Sequence, residues 1–142
     1  MLQPPIIAAL NRLLAIVGRS FPQYLQYSRP YIPPGRDNAV ETLESIAADQ
    51  NVLADRISQL LVDAEAPIRS GEFPMEFTDM HDLEIDYLVS MAIAYQEQDV
   101  ASVGQLVDQL LGSPAAKALA EEALGMAKGH LDSLRELTPA AK

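Results

Sequence analysis

Cysteine is missing from all 142 residues. That removes disulfides, thiolate catalysis and zinc sites built on thiolates. Basic residues are scarce: 10 Lys and Arg stand against 20 Asp and Glu, a formal net charge of −10. Holding nucleic-acid phosphates needs a Lys/Arg patch, and none is visible, so nucleic acid is not expected as a partner. An anionic membrane surface is disfavoured on the same ground. The acidity is read as a source of solubility. The opening stretch MLQPPIIAALNRLLAIVG is apolar but has no basic leader. Asn11 and Arg12 interrupt it well short of the ~20 residues that cross a bilayer. It reads as a core helix, and a cytoplasmic protein is expected. There is no P-loop and no G-x-G-x-x-G. Ser133 lies near His130, but no strand-turn-helix elbow presents it as a nucleophile.

Strand signals are also nearly absent, with no sustained alternation and no hairpin dipeptide between β-branched runs. What the chain does have is apolar content, 49% of residues, enough for the core of one domain spanning 1–142. Helical periodicity is strong in four places. The first predicted helix runs from about Ile6 to Ser28. Ile6, Leu10, Leu13, Leu14, Val17, Phe21, Tyr24 and Leu25 share one face, and Pro22 predicts a kink. The second runs from about Asn38 to Ala64, with Asn38 as cap and Glu41 in the capping-box position. Its stripe is Leu43, Ile46, Ala47, Leu53, Ala54, Ile57, Leu60 and Leu61.

The linker EAPIRSGEFPMEF follows. Extended, it could reach about 45 Å, enough to recross a bundle. Its FPMEF cluster is expected to close the side of the bundle. The third helix is predicted from Thr78 or Asp79 to Gln98, with Met80, Leu83, Tyr87, Leu88, Met91, Ala94 and Tyr95 inward. A shorter amphipathic segment, Val100 to Leu111, comes next. Ser113 and Pro114 then look like the cap and first residue of a last helix reaching Leu137. The expected fold is all-α: a four-helix bundle with a long crossover between helices 2 and 3 and a short extra helix before the last.

Projection at ~100° per residue puts a few polar residues within the apolar arcs. They are Tyr24, Gln50, Glu84 and His130; Asp49 and Asp86 fall away from the core. Glu84 and His130 could satisfy each other, with Gln50 and Tyr24 adding donors. Two readings stand: a buried network that sets helix register, or a metal or catalytic site in the bundle core.

The motifs resemble bacterioferritin-type ferritin-like proteins. LNRLLAIVGRSFPQYLQYS resembles their first helix, which opens on LN and carries a ligand Glu and then a Tyr. DQNVLADRISQLL resembles the second, built on E-x-x-H-A-D. HDLEIDYL resembles the third, with one ligand Glu, and AKGHLDSLREL the fourth, E-x-x-H-[IL]-D-x-L. The likeness covers nearly the whole chain and implies a ferritin-like fold around two irons. Most of the implied ligands are lost. The first-helix Glu falls on Val17, while Tyr24 matches. The second-helix Glu and His fall on Gln50 and Leu53. Glu84 matches in the third helix. The fourth-helix Glu falls on Ala127, and His130 matches. One carboxylate, one imidazole and one amide do not fill two iron shells, so a ferroxidase is not expected; a shell-forming iron store stays open as a third reading, which sizing separates from a dimer. The resemblance therefore implies a non-catalytic bundle with a degenerate site and no cofactor, a structural or interaction protein that forms a homodimer. The alternative is one iron or zinc ion held by Glu84 and His130, with His81 one turn away. Gly125 and Gly129 stand four apart on a flank, where a close helix contact or a subunit interface is one reading and simple tolerance the other.

Overall fold

The computed structural model describes residues 2–27, 32–79 and 84–137. Among them there is no strand. The helices are α1 (Pro4–Gly18), α2 (Phe21–Tyr27), α3 (Asp37–Asp63), α4 (Ile85–Gln109) and α5 (Pro114–Glu136), with a 3₁₀ turn at Met75–Asp79. No described helix is long and apolar enough to cross a membrane.

Two apolar clusters give the helix directions. One joins Ile6 and Leu10 of α1, Ile57 and Leu61 of α3, Val103 and Leu106 of α4, and Leu119 of α5. The other joins Phe21 and Leu25 of α2, Leu43 and Ile46 of α3, Ile85 and Leu88 of α4, and Leu134 of α5. The start of α1 therefore meets the ends of α3 and α4 and the start of α5. Helices α3 and α4 run parallel, antiparallel to α1 and α5. Each of α1 and α5 packs on both α3 and α4, which puts α3 and α4 across a diagonal. Two parallel helices in sequence need a connection that retraces the bundle.

That connection is pinned along α1. The Asn11 amide donates to Pro67 O at 3.0 Å, and its oxygen accepts from the Arg69 N–H at 2.6 Å. Arg19 Nε donates to Gly71 O at 3.0 Å. Gly71 has φ +72°, and a Cβ there would meet the Ala15 Cβ at 3.2 Å, so the close pass requires glycine. Phe73 and Phe77 then stack among Phe21, Tyr24 and Tyr95, so the FPMEF segment closes the side of the bundle, with Met75 left exposed.

Three expectations are corrected. The first helix is broken at Arg19 and Ser20 rather than kinked at Pro22. Ser20 Oγ accepts from the Gln23 N–H at 3.3 Å, so a new helix starts there, and Pro22 sits in its first turn, where no N–H is needed. Its expected end at Ser28 lies outside the described residues. Asn38 does not cap α3. The helix begins at Asp37, after Arg36, which reaches Leu137 O at 3.2 Å and Asp86 at 2.6 Å. The short extra helix does not exist separately: α4 continues through Gln98 and Val100 to Gln109. The Ser113 cap of α5 is present, its hydroxyl accepting from the Ala116 N–H at 3.4 Å.

Candidate functional site

A polar layer separates the two apolar clusters. Ser20, Gln23, Gln50, Gln96 and His130 are all buried there. The break before α2 brings Ser20 to α3, where its hydroxyl donates to Gln50 Oε1 at 2.6 Å. Gln23 Nε2 donates to Ala47 O at 2.7 Å and reaches Gln50 Oε1 at 3.5 Å. Gln50 thus spends its oxygen on the start of α2. On the other side, Gln96 Nε2 donates to Ala127 O at 3.0 Å, tying α4 to α5. His130 Nε2 and Asp49 Oδ2 lie 2.9 Å apart, tying α5 to α3.

A cavity of about 10 Å³ sits within this layer. Its polar lining is Gln50, Gln96, Asp99 and His130, and its apolar lining includes Val17, Leu53 and Ala127. Asp99 is the one carboxyl among the lining residues. Burial pushes its pKa up to about 7, against the opposing pull of the Arg12 guanidinium. Asp99 also lines an outer groove of about 250 Å³ with Arg12, Arg19, Glu72, Glu76 and Tyr95. Inside, the chemistry is that of two amides, an imidazole and one carboxyl that titrates near neutrality. The space admits nothing much larger than water.

The sequence-predicted residues divide. Gln50 and His130 share the cavity. Tyr24 does not join them; it is part of the aromatic stack, with its ring centroid 5.4 Å from that of Phe73. Glu84 is exposed at the N-cap of α4. It stands 12 positions before Gln96, about 18 Å along the helix axis at 1.5 Å per residue. The expected Glu84–His130 pair is therefore not formed, and one ion cannot bridge them. Asp49, expected to point away, is the partner of His130: it sits at the edge of α3, half exposed, and reaches back. His81, with Met80 and Leu83, lies outside the described residues. Among the described residues no group of three His, Asp or Glu side chains could hold a metal.

Sequence reasoning misses Gln96 and Asp99 for one reason. The buried face of α4 is Ile85, Leu88, Val89, Ala92, Gln96, Val103 and Leu106. Tyr87 is half exposed. The expected stripe is rotated by about one position, ~100°. Continuing the stripe of Val103 and Leu110 backward through Gln98 nominates both residues, but a helix boundary placed there cuts it. The chain matches no protein-family model, no curated protein and no solved structure.

Proposed function

We propose that the chain is a ferritin-like bundle whose centre holds no metal, and that it acts without catalysis as a cytoplasmic structural or interaction protein, as a homodimer. The observation that carries this reading is the meeting of Val17, Gln50, Leu53, Ala127 and His130 on one cavity. Those are five positions to which the resemblance assigns metal ligands. The parallel α3 and α4, joined by a connection that retraces the bundle, also support it. On this reading Gln96 stands where the third-helix ligand would be.

The residues do not fit two irons. A two-metal centre needs ions ~3.5–4 Å apart and several anionic oxygens. Here Val17, Leu53 and Ala127 offer hydrocarbon, and the Gln50 oxygen is engaged by Ser20. Elemental analysis of untagged protein, before and after dialysis against iron and zinc, tests the reading. No stoichiometric metal is expected. Two irons per chain would overturn it, as would one ion per chain lost on His130→Leu. Size-exclusion with light scattering tests the dimer; a large shell would instead indicate an iron store.

A further inference from the structure

We propose that the mid-bundle cavity binds one water molecule, held among Gln50, Gln96, His130 and Asp99. The proposal rests on the metal-free reading of the centre. The cavity measures about 10 Å³, the room of a single water. The two amides and the imidazole have each spent one valence and keep another. Gln50 Oε1 is taken by Ser20, which leaves its amide N–H groups to donate. Gln96 Nε2 is taken by Ala127 O, which leaves its carbonyl oxygen to accept. His130 Nε2 faces Asp49, which leaves Nδ1. Asp99 makes no hydrogen bond among the described residues.

The lining therefore presents both a donor and acceptors to a water-sized space, and polar groups so placed are satisfied by ordered water. Water answers both kinds at once. A bare cation does not, because Gln50 would present N–H groups to it. Asp99 lines both the cavity and the outer groove, so one carboxyl stands between the site and the groove.

The test is a high-resolution crystal structure of the full chain, with anomalous data at the iron and zinc edges. The expected result is a peak without anomalous signal, at about 2.7–3.2 Å from at least two of the four residues. The peak should be lost in Gln96→Met, a side chain of similar shape without the acceptor. An empty cavity in the wild-type protein, or a peak unchanged in Gln96→Met, overturns the proposal and leaves the metal-free reading standing. An anomalous peak overturns both. Should Gln96→Met not fold, the wild-type density alone decides.

Discussion

Replacing Asp99 by asparagine should remove a pH dependence of stability and raise stability at alkaline pH. The folded protein moves this carboxyl from its ordinary 3.8 to about 7, through burial. Between those values the folded state holds a proton that the unfolded state has released. Stability from this group is therefore complete below about pH 4, falls as pH rises, and is lost above about pH 7. At 1.36 kcal/mol per pH unit the ceiling is about 4 kcal/mol. Solvent in the groove screens the charge, so about 1–2 kcal/mol should be realised. The amide of the Asp99→Asn variant cannot ionise. Urea unfolding of both proteins at several pH values between 4 and 8 measures the difference, and the other carboxylates cancel in it. The variant should match wild type near pH 4 and exceed it by about 1–2 kcal/mol at pH 8, a midpoint shift of roughly 0.5–1 M urea. A difference that does not change with pH would refute the reasoning. So would a variant less stable at pH 8, which would mean that Arg12 outweighs burial.

Other substitutions follow from the same geometry. Gly125 and Gly129 are exposed, and a Cβ at either meets nothing within 4 Å; alanine at each should stabilise α5 by about 1 kcal/mol, read by thermal unfolding, unless a second copy covers that face, when the dimer would weaken instead. Ser20→Ala removes both the cap of α2 and the bond to Gln50, and should cost about 1–2 kcal/mol in urea unfolding; an unchanged midpoint would show that the break before α2 needs no cap. Gly71→Ala forces an L side chain into positive φ against Ala15 and should cost about 1–2 kcal/mol, with faster proteolysis of the connection; unchanged stability and cleavage would contradict the close pass.

The sequence by itself determined the all-helical class, because apolar residues recur at helical spacing and strand alternation is absent. It determined the start of α5, because Ser113 and Pro114 act within one turn. It pointed Gln50 and His130 inward from local periodicity, and both are buried. Tertiary structure decided the rest. Local rules read Pro22 as a kink inside one helix, yet it sits in the first turn of a new helix, whose start Ser20 fixes by meeting Gln50 on α3. The place of α4 depended on where that helix began and ended: Glu84 falls at its N-cap, and Gln96, about 18 Å further along the axis, takes the buried position. The partner of His130 was decided across helices: Asp49 lies outside the apolar stripe of α3, yet it is the carboxylate within 2.9 Å. Periodicity reports which face of a helix is dry; which groups meet across the core depends on the depth and rotation of all the packed helices together.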